Sequence, residues 1–452
     1  MAMKIDVNSC DCVRSELELF DIPPTQTSIE ECRYEKRGPT TSLDRGGPLE
    51  FKVHVGDEEY LDPGDSFVYI KAKIVDENGD VLVEKDADGK LPDKSIVFPI
   101  ANVGCSLFSQ ISVTLNSQSV SSNDGMYAYK AYIENLLSFG SDAKKHQLAA
   151  AMFHQDISDM DVHDESVLEK TKNKGAKDRF ERTRYSRSFE CISFLHSEIF
   201  EQPKLILNKV EMNVKLTRND DDFVLMSKEA NRKYRIVIEE GLLYASVKKI
   251  SSHVRVAHEE RLLSSNARYP IRRVKMKFFT KGQNRSDISE PNISNGILPR
   301  RIIWGLVATD AFNGSKHKNP FNFYHFGVNH IALRKNGREI PYNGMKLNFI
   351  GSTENEYLMA YFTLIHGTNL WRKNISNAII PTRDYKNGFT LYAANLLPDQ
   401  SDGSNFSLQE EGSLSLEIRL AKGVDTSITI VCYLEYDSII EIDKDRQVHY
   451  HE

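Results

Sequence analysis

Few side chains in this sequence stand where metal or acid–base chemistry would need them. Cys10-Asp11-Cys12 sets two thiols one residue apart, but a zinc site needs a second Cys or His pair, and none follows nearby. His449 and His451 flank Tyr450 at strand spacing. Two imidazoles on one strand face can share a metal, but a solvated tail is much the better account of them. Asp220-Asp221-Asp222 lacks the spaced oxygen ligands and the glycine of a calcium loop, so it reads as a wet turn. No Gly-rich phosphate loop, GxSxG elbow or HExxH helix occurs. Carboxylates are plentiful, but spacing alone sets no two of them at a glycosidase separation. The expectation is therefore no catalytic residue, no cofactor and no metal.

The elements around these residues read as strands. Phe51, Val53 and Val55 alternate with Lys52 and His54; Val68, Ile70, Ala72 and Ile74 alternate with Tyr69, Lys71 and Lys73. Such period-2 patterns give half-buried strands with one wet face. Ile302-Ile303-Trp304-Gly305-Leu306-Val307 reads as a strand buried on both faces. Tyr129, Ile133, Leu136 and Leu137 form the apolar stripe of one helix, with Asp124 at its start and Gly140 at its end. A second helix is expected from about residue 142 to 153. Between 156 and 187 the charges segregate, Asp156, Asp159, Asp161, Asp164 and Glu165 preceding Lys170, Lys172, Lys174, Lys177, Arg179, Arg182, Arg184 and Arg187. Charge blocks of this kind are solvated loops or, alternatively, subunit contacts.

Bulk properties narrow the classes further. A chain of 452 residues exceeds what one core usually organises, so two domains are expected. The net charge of −6 argues against a protein that coats nucleic acid with its whole surface. No apolar run approaches the ~18 residues of a membrane helix. Met1 to Cys12 has no apolar signal core, so a cleaved secretion signal is not expected. Cys105 and Cys432 sit within apolar strand patterns and read as buried free thiols, which suits a reducing compartment.

One strand motif occurs twice. Val210, Met212, Val214 and Leu216 alternate with polar residues, as do Leu414, Leu416, Ile418 and Leu420; aligning Val214 with Ile418 gives an offset of 418 − 214 = 204. Ile111 to Leu115 runs into a polar turn, as does Ile331 to Lys335; aligning Val113 with Leu333 gives 333 − 113 = 220. Two copies of one β-sandwich leave such a trace. The fold expected is all-β: two tandem eight-stranded sandwiches at residues 46–230 and 231–442, with a few short helices in loops and a tail at 443–452. Residues 1–45 precede them as an arm. It carries Leu17, Leu19, Phe20 and Ile22 beside Pro23 and Pro24. Prolines favour extended backbone, and the apolar group needs a surface, either on its own domain or on a neighbour.

Several segments together resemble the hexon-type major capsid proteins of polinton (Maverick) elements and adintoviruses. They are Leu19-Phe20-Asp21-Ile22-Pro23-Pro24, Ser106-Leu107-Phe108-Ser109-Gln110-Ile111-Ser112-Val113, Tyr129 to Ser138, Tyr269-Pro270-Ile271-Arg272-Arg273-Val274, Asp310-Ala311-Phe312-Asn313-Gly314-Ser315, Asn319-Pro320-Phe321-Asn322-Phe323, Asn387-Gly388-Phe389-Thr390-Leu391-Tyr392 and Tyr433-Leu434-Glu435-Tyr436-Asp437. The resemblance runs from about Leu17 to Ile442 and is weakest over 156–187. It implies a double jelly roll whose chains form homotrimeric, pseudo-hexameric capsomers in an icosahedral shell around double-stranded DNA. A virion location, assembly inside the host cell, capsomer–capsomer contacts and a single jelly-roll penton or other minor capsid partner follow from it. So does a trimer interface above the ~2,000 Å² scale of obligate assemblies. Candidate assembly contacts are Leu17, Leu19, Phe20, Ile22, Pro23 and Pro24 of the arm, and Phe321, Phe323, Tyr324 and Phe326 of a long aromatic loop. The competing class is a two-domain carbohydrate-binding or glycoside-processing sandwich, which calls for exposed aromatics and paired carboxylates on a concave face.

Overall fold

A computed structural model describes residues 4–43, 46–84, 92–164, 172–350, 356–371, 373, 380–400 and 405–450. Glu165, Lys170 and His451 lie outside these residues. Sixteen strands carry the architecture. The first eight are β1 (Ile29–Arg37), β2 (Leu49–Val53), β3 (Glu59–Asp76), β4 (Phe108–Leu115), β5 (Gln118–Ser119), β6 (Phe189–Ser193), β7 (Met212–Arg218) and β8 (Tyr234–Ile250). They form two antiparallel sheets in the orders β1-β8-β3-β6 and β2-β7-β4-β5. The second eight are β9 (Ala267–Lys281), β10 (Asp287–Ile297), β11 (Arg301–Ala308), β12 (Val328–Lys335), β13 (Arg338–Lys346), β14 (Leu391–Asn395), β15 (Glu411–Leu420) and β16 (Ile428–Ile442). Their sheets run β9-β16-β11-β14 and β10-β15-β12-β13. Adding eight to every strand number of the first pair of sheets gives the second pair. Each half is a jelly roll, and the halves share one topology.

The duplicated motifs are β7 with β15 and β4 with β12, which are neighbours within their sheets. Val214 lies opposite Val113, while Ile418 lies opposite Ile331 and Leu416 opposite Leu333. The two sequence offsets are therefore one pleat out of step. Pairing Val214 with Ile418 makes Val113 equivalent to Ile331, an offset of 331 − 113 = 218 rather than 220. A slip of two residues keeps every side chain on its own face, so both alignments put apolar residues inward. All of these inward residues are buried.

Three expected boundaries are corrected. The arm ends at Ser28, because residues 29–37 form β1, the edge strand of the first sandwich. Its sequence, Ile29-Glu30-Glu31-Cys32-Arg33-Tyr34-Glu35-Lys36-Arg37, is mostly charged and exposed, so no alternation marks it; charged residues also keep such an edge from pairing with foreign strands. The first sandwich extends to Ile250, since β8 pairs with β3 along most of its length. The tail is not loose either. Val448–Tyr450 pairs with the end of β16, and Arg446, buried, donates to the Asn208 carbonyl at 3.0 Å and to Asn208 Oδ1 at 2.8 Å.

Four longer helices sit between strands: α1 (Tyr127–Ser138), α2 (Lys174–Thr183), α3 (Ser252–Leu262) and α4 (Leu358–Gly367). The helix expected over 142–153 is broken into Ser141–Lys145 and a 3-10 turn, Gln147–Ala151, by the backbone at His146. Both jelly rolls carry their largest insertion between the fifth and sixth strands; α1 and α2 lie in the first insertion and α4 in the second. Helix α3 joins the two halves. Among the described residues no helix is long and apolar enough to cross a membrane. All six cysteines are free, with Cys105 and Cys432 buried.

Candidate assembly surfaces and the junction between the sandwiches

The ten residues expected to make assembly contacts fall into two groups. Leu17, Leu19, Phe20 and Ile22 are 68, 76, 96 and 87 % exposed, and nothing among the described residues covers them. Pro23 and Pro24 follow in exposed, irregular backbone. The aromatic loop behaves differently. Phe321 and Phe323 are fully buried, so they offer no surface to another chain, and that part of the expectation is corrected. Tyr324 remains 41 % exposed, and Phe326 packs partly against the core. The reason lies in α1, whose apolar stripe needs a partner that its own sheets do not supply.

Helix α1 comes from the first jelly roll, and the aromatic loop leaves β11 of the second. The Tyr132 and Phe321 rings stack at 4.1 Å with 5° between planes, and Tyr129 meets Phe321 edge-on at 5.6 Å. The Tyr129 hydroxyl donates to the Pro320 carbonyl at 3.0 Å, which satisfies its buried polar end. Phe323 presses on β11 at Gly305, where an added Cβ would sit 2.6 Å from Cδ1 of that ring. Glycine at 305 is thus a requirement of the close approach.

A polar node lies in the same junction. Asp156 and Arg179 have fully buried side chains and pair at 2.6 Å. Arg179 Nε also donates to the Pro99 carbonyl at 2.8 Å, and its other guanidinium nitrogen donates to the His154 carbonyl. Asn173 Nδ2 reaches Asp156 Oδ1 at 3.0 Å, while Asn319 Nδ2, from the second jelly roll, reaches Oδ2 at 2.9 Å. Asp161 continues the link by accepting from the Asn319 amide at 2.9 Å and Asn322 Nδ2 at 3.0 Å. The segment read as a solvated charge block therefore holds a buried ion pair and a helix, α2, capped by Asn173. A charge run does not reveal that one of its arginines points inward.

On the other side of α1 stands a group that sequence reasoning missed altogether. Glu134 on α1 and His196 and Glu201 beyond β6 bring one ligand atom each to within 4.8 Å of one another. They line a cavity of about 390 Å³ with Tyr433 of β16. His196 Nδ1 and Glu134 Oε2 are 2.7 Å apart, and the Tyr433 hydroxyl donates to Glu134 Oε1 at 3.0 Å. Beside them, buried Lys130 donates to Glu198 Oε1 at 3.0 Å, and the same oxygen accepts from the Val274 amide of β9 at 3.2 Å. Burial opposes the charge on Lys130, but the Glu198 and Glu134 carboxylates outweigh it and hold Lys130 above its ordinary value. Burial raises Glu134. Crowding by protein and then the Glu134 carboxylate push Glu201 up to about 8, although Glu201 stands at the cavity mouth and meets solvent. An imidazole with two carboxylates is a donor set for a divalent transition metal. At neutral pH a proton held among the carboxylates serves the same purpose, relieving their repulsion. Glu134 lies 62 residues before His196, so no local spacing signals the group.

The remaining sequence candidates have local roles. Asp220 caps a short helical turn, accepting from the Asp222 amide at 3.0 Å, and Asp222 pairs with Lys316 at 2.9 Å. His449 Nε2 lies 3.2 Å from Asp443 Oδ2. Cys10 and Cys12 are exposed in the arm.

Two jelly rolls of one topology, locked side by side in a single chain, define the double jelly-roll fold. Solved structures share it over nearly their whole length. The structure of the Sputnik virophage by cryo-EM superposes with a TM-score of 0.65 at 11 % identity, covering 99 % of this chain and 94 % of that one. The Faustovirus major capsid protein gives 0.56 at 8 % identity over 95 % and 93 %. The mavirus major capsid protein gives 0.51 at 10 % identity over 100 % and 97 %. In sequence, the chain is similar to an uncharacterized Caenorhabditis elegans protein, F54H12.2, with 27 % identity over 434 residues, 93 % of this chain and 97 % of that protein. No family model matches.

Two predictions arise from the junction. Replacing Asp156 with Ala leaves Arg179 charged and buried without its partner, which costs about 3–5 kcal/mol of unfolding free energy. A denaturant midpoint shift worth under about 1 kcal/mol would show that the node is not structural. For Glu201, the folded value of about 8 lies above the unfolded 4.5. Its contribution is therefore fullest below pH 4.5 and is lost as pH rises through 8. Glu201→Gln should match the parent in melting temperature near pH 4.5 and exceed it above pH 8, by a margin that solvent screening of the exposed Glu201 keeps small. Equal melting temperatures at both ends would refute the assigned repulsion.

Proposed function

We propose that this chain is the major capsid protein of an icosahedral double-stranded DNA virus or virus-like element of the polinton and adintovirus type. The observation that carries the reading is the eight-strand repetition of topology within one chain, shared end to end with viral major capsid proteins. Two like sandwiches per chain make physical sense in a shell. Three chains present six similar sandwiches around one axis, approximating a hexagon while only three copies must associate. The work of the residues is then packing and lateral contact rather than catalysis, and the protein resides in the virion. The similarity to a protein of an animal, Caenorhabditis elegans, supports the polinton type, whose relatives occur in animal genomes. The net charge of −6 suits a wall that encloses DNA without coating it. Pentameric corners require a second shell protein, and a single jelly-roll penton fits that place.

Within this reading the arm is an assembly element. Residues 4–28 are exposed throughout, so they contribute little to the core. Leaving a large apolar side chain wet forfeits roughly 1.5–3 kcal/mol, which a neighbouring surface recovers. Pro23 and Pro24 stiffen the segment and lower the entropy lost on docking.

The test is expression of the full chain followed by sedimentation and electron microscopy. Capsomers of hexagonal outline and closed or partial shells are expected; a protein that never passes the monomer would overturn the proposal. Removing residues 1–24 keeps Gln26, whose side chain accepts from the Ile29 amide at 2.8 Å at the start of β1. The truncated chain should melt as the parent does and form capsomers, with shell yield strongly reduced. Normal shell yield would make the arm dispensable, and failure to fold would assign it to the core.

A further inference from the structure

We infer that the arm of one copy docks in an apolar cavity at the base of α3 in a second copy. The inference rests on the self-assembly reading above and names the surface used. The cavity has a volume of about 500 Å³ and lies where α3 crosses from one jelly roll to the other. Leu207, Ile250, Val254, Leu262 and Tyr269 give it an apolar wall. Its volume is in the range that takes a compact organic ligand, so two or three large side chains of a short peptide fit it.

Charge selects the occupant. Lys204, Arg261 and Arg268 line the cavity with His258, and among the described residues no carboxylate does. Arg268 shares its charge with Glu441 at 3.0 Å, outside the cavity lining; Lys204 and Arg261 are exposed. The arm has the complementary pattern. Glu16, Glu18 and Asp21 interleave with Leu17, Leu19, Phe20 and Ile22. An acidic, apolar peptide therefore meets a basic-rimmed, apolar hollow, with the apolar groups giving affinity and the charges giving orientation. Phe20, the arm's one aromatic and 96 % exposed, is the natural anchor.

The geometry favours a second copy over the same chain. Ser28 and Ile29, the root of the arm, are themselves part of the cavity lining. For Phe20 to enter its own cavity, the chain would have to reverse within Pro23-Pro24-Thr25-Gln26-Thr27. Pro23 and Pro24 oppose that reversal by holding extended backbone, and the Gln26 side chain fixes the Ile29 amide at the exit. A symmetric assembly lets each arm reach the next copy instead, so every cavity is filled without loose ends.

The test is disulfide trapping in the full chain, with Cys10, Cys12 and Cys32 replaced by Ser and Phe20→Cys combined with Val254→Cys. Mild oxidation should give covalent oligomers on a non-reducing gel, absent from either single-cysteine chain. A disulfide formed only within one chain would overturn the choice of occupant, and no disulfide would overturn the cavity as the docking site. A second measurement does not depend on those substitutions. A labelled peptide of residues 13–25 should bind the chain lacking residues 1–24, and Phe20→Ala in the peptide should weaken it about tenfold. Arg261→Glu on the exposed face of α3 should weaken it several-fold, and Glu18→Lys in the peptide should restore part of the loss. Absence of peptide binding to a chain that still forms trimers would sink the cavity assignment while leaving the capsid reading intact. A chain that is monomeric with and without its arm would sink the capsid reading itself.

Discussion

The structure depends on the burial of one loop against one helix. The loop carries Phe321 and Phe323 from the second jelly roll, and the helix carries Tyr129 and Tyr132 from an insertion in the first. A jelly roll is stable without a twin, and a flexible linker would leave two such domains free to rotate. Here the stacked rings exclude water, and the Asp156 node then makes any displacement costly, because sliding the halves apart would expose Asp156 and Arg179 to mismatched partners. Apolar contact supplies the attraction; the buried charges supply a single register. The result is two sandwiches joined by direct contacts rather than two beads on a linker.

In the capsid reading proposed above, a fixed angle within the chain would present the same edge to every neighbour. The two copies differ most in their insertions. In the first, the residues between β5 and β6 build the junction through α1 and α2. In the second, α4 packs on β14 of its own jelly roll. Gly367 permits that contact, since an added Cβ there would lie 2.5 Å from the Ala393 carbonyl carbon. One insertion faces its sister domain and the other its own sheet, so the same position in the fold serves two ends.

Much of this was legible in the chain itself. Alternation revealed β2, β3, β4, β7 and β15, and the repeat of β4 and β7 as β12 and β15 disclosed the duplication. What alternation cannot express stayed hidden. β1 is charged along its length, so a strand at an exposed edge resembled an arm. The first sandwich was expected to end at 230, because pattern alone does not say which sheet receives β8. Phe321 and Phe323 looked like surface contacts because a loop rich in aromatics has no period from which to infer burial. Arg179 sat among solvated cations, and the Glu134, His196 and Glu201 group depends on helix α1 meeting the loop after β6 in space. The arm residues, by contrast, stand out in sequence and in structure alike, because no partner among the described residues masks them.

The central claim is that the chain is built to associate around a threefold axis. Light scattering on the purified full chain at micromolar concentration measures this directly. A mass near three times 51.5 kDa is the predicted result; a stable monomer of 51.5 kDa, unchanged as concentration rises, would contradict it.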